Sequence, residues 1–310
     1  MFLCICMSPA MDATVTLPRA PTGNGEIFKD VAEVENIGGK AVNAARWLAL
    51  RGAGVVCGGM LGEDNDAVFV RELERIGVED RFTRIPGATR RNETLVWTGG
   101  SCKLNRAAFP GLAPDKALAA ARKVIPDSTR GLPGGVAILS GSLPPSVPPD
   151  FYAEAISTLK AKGWATVLDT SGEALRRGLE AGPDLVKPNK EECEELVGFA
   201  LRTYEDFIRA TSLLKKHARH AIISAGHLGA WFDGRLIPAP EAKVLDTTGA
   251  GDTLLAEYCL RFFGEGLAPV EAAKWAVAAG SAACSTPGGA PPSPELVAKL
   301  KATLDASVMV

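Results

Sequence analysis

The segment Asp246-Thr247-Thr248-Gly249-Ala250-Gly251-Asp252-Thr253 concentrates the chemistry of this chain, and it runs straight into the apolar stretch from Leu254 to Phe263. The stretch predicts a helix. The first N–H groups of a helix have no partner within it, and the macrodipole adds partial positive charge at that end. Gly249, Ala250 and Gly251 leave almost no side chain between those N–H groups and an approaching anion. Asp252 then stands beside an anion that it would repel. A carboxylate in that place fits a general base that takes a proton from an attacking hydroxyl. The residues alone leave open a second reading, in which Asp252 only favours the start of the helix.

Buried strands and amphipathic helices would have to position this segment. Short apolar runs at 135–139, 165–168 and 221–223 are bounded by Gly, Ser or Asp and read as strands, as does the apolar start at 1–7. Helical spacing is found in Phe69, Leu73 and Ile76, and over 40–49, 150–161, 204–217 and 270–283. Such an alternation implies an α/β fold with a mainly parallel sheet covered by helices on both faces. Ligands of such sheets bind outside the carboxyl ends of the strands. Ser140-Gly141-Ser142, Asp169, Asn189 and Ser224 all follow predicted strands and are expected on one rim.

The composition fits a compact enzyme: of 310 residues, 46% are hydrophobic and 23% charged. A formal net charge of −2 gives no electrostatic case for a nucleic-acid partner or an anionic membrane. The apolar start is too short and lacks the basic flank of a secretion signal or a membrane span, so a cytoplasmic protein is expected. Seven cysteines without a paired CxxC pattern read as buried, reduced thiols, although Cys4 and Cys6 share one side of a strand. His217, His220 and His227 have no ligand spacing. There is no Gly-x4-Gly-Lys-Ser/Thr string and no Gly-x-Gly-x-x-Gly after a first strand, so neither of those phosphate cradles is available.

Further strings stand in order along the chain: Ser8-Pro9-Ala10-Met11-Asp12, Gly38-Gly39-Lys40-Ala41-Val42-Asn43, Thr89-Arg90-Arg91-Asn92, Ser140-Gly141-Ser142, Lys187-Pro188-Asn189-Lys190-Glu191-Glu192 and Ser224-Ala225-Gly226-His227-Leu228-Gly229. With the Gly249–Asp252 loop, the chain over about residues 5 to 290 resembles the PfkB/ribokinase-like carbohydrate kinases. Within them it is most similar to the branch of 1-phosphofructokinases and tagatose-6-phosphate kinases. The resemblance implies one domain over 1–310 with a ribokinase-like three-layer α/β/α sandwich. It also implies a small β-sheet lid from about 12–37 and 89–108, where Ala13–Leu17, Ile27-Phe28 and Val31–Val34 alternate like strands.

The same resemblance implies ATP, Mg²⁺ and a sugar or sugar phosphate as ligands, with a homodimer formed through the lid. Asp252 would be the base, and Gly249, Ala250 and Gly251 the anion hole. Asp12, Gly38, Gly39, Lys40, Asn43 and Arg90 would bind the sugar, with Arg90 on the substrate phosphate. Lys187, Asn189, Ser224, Gly226 and Gly229 would line the nucleotide phosphates. Glu192 would organise Mg²⁺ through water, although the residues alone read equally as an acidic first helical turn. Asp246 and Thr248 would hold a K⁺ together with the loop at 281–290.

The expected reaction is ATP-dependent phosphorylation of a ketose phosphate to a bisphosphate. An unphosphorylated sugar or a nucleoside is the alternative acceptor, and a catalytically silent sugar- or nucleotide-binding protein is the remaining reading. The branch typically reads Thr-Arg-x-Asn-x-Lys where this chain has Thr89-Arg90-Arg91-Asn92-Glu93-Thr94. Arg91, Lys29 and Lys103 are candidates to replace the missing positive charge.

Overall fold

Two sheets of opposite character organise the chain, for which a computed structural model describes residues 1–23, 25–286 and 288–307. The large sheet has nine strands. They are β1 (Phe2–Cys6), β4 (Val55–Gly62), β5 (Glu79–Ile85), β8 (Val136–Ser140), β9 (Ala165–Asp169), β10 (Leu185–Val186), β11 (His220–Ser224), β12 (Ala230–Phe232) and β13 (Arg235–Ile237). Their order is β13-β12-β11-β10-β9-β8-β1-β4-β5. All neighbours from β11 to β5 are parallel, and β12 and β13 add an antiparallel end. The small sheet takes β2 (Ala10–Thr16), β3 (Ala32–Gly38), β6 (Arg91–Trp97) and β7 (Gly100–Leu104) in the order β3-β2-β6-β7.

Burial explains the central strands. β1, β4 and β8 are buried at every residue, as a strand covered on both faces must be. Successive side chains point to opposite faces: Phe2, Cys4 and Cys6 join one apolar cluster, whereas Leu3 and Ile5 join another. The first cluster is closed by helices α1 (Lys40–Leu50), α2 (Asp66–Arg75), α8 (Ala250–Cys259), α9 (Pro269–Ala283) and α10 (Pro294–Ser307). The second is closed by α3 (Pro114–Thr129), α4 (Phe151–Ala161), α5 (Gly172–Glu180), α6 (Lys190–Val197) and α7 (Tyr204–Leu214). Helices on both faces of a mostly parallel sheet make the three-layer ribokinase-like sandwich.

The sequence-based elements hold with three differences. Ile27-Phe28 is not a strand, and Ile27 is among the most exposed large apolar residues; alternation without a partner strand or a core cannot hold extended backbone. The helix expected to run through Phe263 is α-helical only to Cys259 and continues as a π-turn over Leu260–Gly264. All seven cysteines are free, but Cys102 is exposed and Cys284 half-buried, because the first lies on the open β7 and the second at the end of α9. Among the described residues no helix is long and apolar enough to cross a membrane.

Helices α1 and α8, which carry Lys40, Asn43 and Asp252, are locked together by a buried acid. Glu257 is fully buried and accepts hydrogen bonds from Trp47 Nε1 at 2.8 Å and Arg261 Nε at 2.9 Å, with Arg51 Nε at 3.7 Å. Removing the acid strands two guanidinium groups and an indole N–H. Glu257→Ala is therefore expected to destabilise the protein by about 3 kcal/mol, read as a lower midpoint in urea unfolding with an unchanged slope.

Candidate active site

The carboxyl ends of the parallel strands carry the polar residues that the sequence sends to one rim. Ser140 and Asp169 are register partners at the ends of β8 and β9. Asn189, just beyond β10, forms an isolated parallel bridge with Ser224, the last residue of β11. α8 starts beside them, with Gly249 as N-cap in the left-handed region at φ 76°. A side chain at 249 would strain the turn that starts the helix.

The first intrahelical bond of α8 runs from the Thr253 N–H to the Gly249 carbonyl at 2.9 Å. The N–H groups of Ala250, Gly251 and Asp252 precede it. That of Ala250 turns back to the Thr247 carbonyl at 3.3 Å, which narrows the candidate anion hole to Gly251 and Asp252. Lys187 is buried directly beneath; its Nζ would lie 3.7 Å from a Cβ placed on Gly251.

Asp252 occupies the third helical position but does not serve as a cap. Its Oδ2 accepts a hydrogen bond from Asn43 Nδ2 at 2.9 Å, so it is tied to α1 rather than to its own helix. Only 7% of the residue is exposed. Burial and the repulsion of Asp169 push its carboxyl up to about 6, against the opposing pull of Lys40, Asn43 and Lys187. A carboxylate with that affinity for protons is matched to proton abstraction near neutral pH.

Asp169 is the group that sequence reasoning placed on the rim without a role. It is fully buried. Lys40 Nζ donates to its Oδ1 at 3.1 Å, Lys187 Nζ lies 3.3 Å away, and Ser140 Oγ donates to its Oδ2 at 3.2 Å. Burial would raise the Asp169 carboxyl, but the two ammonium groups override it and hold it below the usual range. Lys40 also lies 3.9 Å from Glu192 Oε1. Burial alone would lower the Lys40 ammonium, whereas Asp169, Asp252 and Glu192 together raise it. Two fixed cations thus sit on one buried anion beside Asp252, an arrangement able to receive phosphoryl oxygens.

Asn189 and Glu192 form a capping box. The Asn189 side chain accepts from the Glu192 N–H at 2.7 Å, and Glu192 Oε2 accepts from the Asn189 N–H at 2.9 Å. The helix-start reading therefore holds for both residues, and Glu192 Oε1 is the oxygen that faces the rim beside Lys40. Ser224, Gly226 and Gly229 lie on one tight turn between β11 and β12. Gly229 is there for packing: a Cβ at its φ of 102° would lie 2.1 Å from the Ile237 carbonyl oxygen.

The opposite wall is the inner face of the small sheet. Asp12 Oδ1 accepts from Asn92 Nδ2 at 2.9 Å, and burial pushes the Asp12 carboxyl up against the pull of Asn92, Arg90, Arg46 and Lys103. The space above Gly38, expected from sequence to admit a ligand to the backbone, is filled by Asp12: a Cβ there would lie 1.9 Å from Asp12 Oδ2. At Gly39, with φ 109°, a Cβ would meet Cys6 Sγ at 2.8 Å and Pro9 Cα at 3.0 Å. Both glycines serve the packing of the turn into α1.

Arg90 is partly engaged within the protein. Three of its five N–H donors go to the carbonyls of Ser8 (3.1 Å), Pro9 (3.4 Å) and Arg106 (2.7 Å). It braces the turn before β2 against the segment after β7, and its other two donors take no part in this brace. Of the candidates for the missing lysine charge, Arg91 is bound by Glu33, Glu35 and Glu93. Lys29 lies in the exposed segment between β2 and β3. Lys103 contacts Asp246 and Thr248. Asp246 and Thr248, the proposed K⁺ ligands, are thus engaged with each other and with a lysine. In the loop after α9, Gly288 donates its N–H to Asp246 Oδ2 at 3.2 Å; Pro287 lies outside the described residues.

Comparison with known proteins agrees with this fold. The family profile of pfkB family carbohydrate kinases matches residues 11–296. A 1-phosphofructokinase of Vibrio cholerae is 33% identical over 268 residues, which cover 82% of this chain and 80% of that protein. A 1-phosphofructokinase of Rhodobacter capsulatus is 33% identical over 309 residues, 97% of this chain and 95% of that protein. The crystal structure of phosphofructokinase-2 from Escherichia coli in complex with potassium superposes with a TM-score of 0.88 at 26% identity, over 98% of this chain and 99% of that one. Ribokinase of Arabidopsis thaliana, with a TM-score of 0.71 at 21% identity over 97% and 98% of the two chains, shares the fold. With its matched profile and its sheet order, the chain belongs to the pfkB family of carbohydrate kinases, ATP- and Mg²⁺-using phosphotransferases that act on hydroxyl groups of sugars.

Proposed function

We propose that this kinase transfers the γ-phosphoryl group of ATP to a hydroxyl of fructose 1-phosphate, giving fructose 1,6-bisphosphate and ADP. The observation that carries the reading is the 2.9 Å bond from Asn43 to Asp252: a residue of the acceptor half touches the base of the transfer half. A hydroxyl held by Asp12 and Asn43 would lie within reach of Asp252. Asp252 takes its proton as the oxygen attacks phosphorus in line, and the bond to the ADP oxygen breaks. The N–H groups of Gly251 and Asp252, with Lys40 and Lys187, stabilise charge on the transferring oxygens.

The donor set suits Mg²⁺ held mainly by water and phosphates: among the described residues no three metal-ligating side chains converge, and Glu192 Oε1 faces the rim. Bound there, Mg²⁺ would neutralise phosphate charge. The acceptor phosphate would use the two free donors of Arg90. We read 1–310 as one kinase unit in the cytoplasm, with the small sheet as lid and as the surface joining two copies.

The test is ADP release with Mg·ATP over fructose 1-phosphate, fructose 6-phosphate, tagatose 6-phosphate, free hexoses, ribose and nucleosides. Selective turnover of fructose 1-phosphate supports the reading. Turnover of only unphosphorylated alcohols would overturn it, and the absence of a lysine at Thr94 would then mark a changed acceptor.

A further inference from the structure

Lys103 stands where the sequence led us to expect a bound K⁺. The register of β6 and β7 sets Lys103 directly opposite Thr94, and Thr94 lies two residues from Asn92, whose amide reaches Asp12. Opposed residues of an antiparallel pair share a face, so the Lys103 side chain leaves the small sheet towards the large one. Its Nζ donates to Asp246 Oδ1 at 3.1 Å and to the Thr248 hydroxyl oxygen.

Asp246 Oδ1 is crowded with donors. Oδ1 also accepts from the Thr248 N–H at 3.0 Å and the Thr248 hydroxyl at 2.8 Å, and Oδ2 accepts from the Gly288 N–H at 3.2 Å. Three donors thus converge on Oδ1, more than its two lone pairs serve singly, and one on Oδ2. The Thr248 hydroxyl gives its proton to Asp246 and turns a lone pair to Lys103. The Asp246 carboxyl stays below its usual range, because these hydrogen bonds and the ammonium outweigh its burial. A metal cation using Asp246 Oδ1 and the Thr248 hydroxyl oxygen would have to displace Lys103. The residues present do not fit K⁺ at this place while the lysine is there.

We propose that Lys103 is a tethered monovalent cation, an ammonium group covalently carried by the small sheet that replaces K⁺ beside the anion-hole loop. An ammonium and a K⁺ ion carry the same charge and seek the same oxygen donors. Thr248 immediately precedes Gly249, so a charge held on Asp246 and Thr248 fixes the turn from which α8 starts. The tether adds what a free ion cannot supply: it joins β7 to that turn, so the approach of the small sheet and the ordering of the anion hole become one event. The effect on rate rests on the anion-hole reading above, whereas the effect on stability does not.

Two measurements test this on the full chain, with KCl, NH₄Cl and choline chloride at matched ionic strength. In wild type, melting temperature and turnover are expected to be the same in KCl and in choline chloride. In Lys103→Met, which keeps the length and removes the charge, turnover in choline is expected to fall about tenfold or more, the size of one lost charge-assisted contact. KCl and NH₄Cl should restore it. KCl should also raise the melting temperature of Lys103→Met selectively over choline, a readout that needs no sugar and stands even if the acceptor assignment fails. Strong K⁺ activation of wild type would overturn the proposal. So would a Lys103→Met variant that matches wild type in choline, or one that K⁺ neither reactivates nor stabilises.

Discussion

Asp252→Asn is expected to lower kcat about 10³-fold while the dissociation constants for ATP and sugar stay within about threefold. Asparagine keeps an oxygen where Asn43 Nδ2 donates at 2.9 Å, so the link between α1 and α8 persists. It cannot accept the hydroxyl proton. The loss therefore falls on the chemical step, and single-turnover rates should fall as far as steady-state rates. A variant with near-normal kcat would remove Asp252 from the mechanism.

The same carboxyl predicts two pH effects. With an affinity for protons near 6, wild-type kcat/KM should fall about tenfold per pH unit below 6, where Asp252 is protonated and cannot act as base. Stability runs the other way. The folded value lies above the unfolded one of about 3.9, so the native state binds more protons between the two. Stability lent by the protonated group is full below about 4 and is lost as pH rises through 6. Asp252→Asn should thus be more stable than wild type at pH 8, by about 1–3 kcal/mol at roughly 1.4 kcal/mol per unit. The advantage should vanish towards pH 4. Equal stability at pH 8 would mean that Asp252 is not held ionised against its surroundings.

What could be read in the sequence depended on how local its physical cause is. The Gly249–Asp252 loop and the buried strands were legible because each is a statement about consecutive residues: small residues at a helix start, or apolar runs between turns. Asp169 was visible at a strand end, but its role was not. That role comes from Lys40 and Lys187 meeting it in space, and neither is near it in the chain. Arg90 was read incompletely for the opposite reason. Its guanidinium suits a phosphate, and nothing in the neighbouring letters says that the carbonyls of Ser8, Pro9 and Arg106 take three of its donors first. Glu192 shows both sides: the acidic first turn is a local feature and is present as a capping box, while its second oxygen gains meaning only from Lys40.

Gly38 and Gly39 separate function from folding in adjacent residues. At Gly39 the added methyl of alanine meets the backbone of Pro9 at 3.0 Å and Cys6 at 2.8 Å, at a φ of 109°. Neither a backbone atom nor a buried strand side chain yields readily, so Gly39→Ala should lower stability. At Gly38 the obstacle is the movable end of a side chain, Asp12 Oδ2 at 1.9 Å and Cγ at 2.7 Å. A carboxylate can rotate away at small cost, and Gly38→Ala should stay within about 1 kcal/mol of wild type in stability. The rotation breaks the 2.9 Å bond with Asn92 and removes the acid from the acceptor site. KM for the sugar is then expected to rise about 30-fold, near 2 kcal/mol, with KM for ATP unchanged, because Asp12 stands on the small sheet and the residues proposed for the nucleotide on the rim of the large one. The two constants in one variant decide the matter: a sugar KM unaffected by Gly38→Ala would mean that Asp12 only joins β2 to β6, and a parallel rise in both would mean that the turn into α1 had moved as a whole.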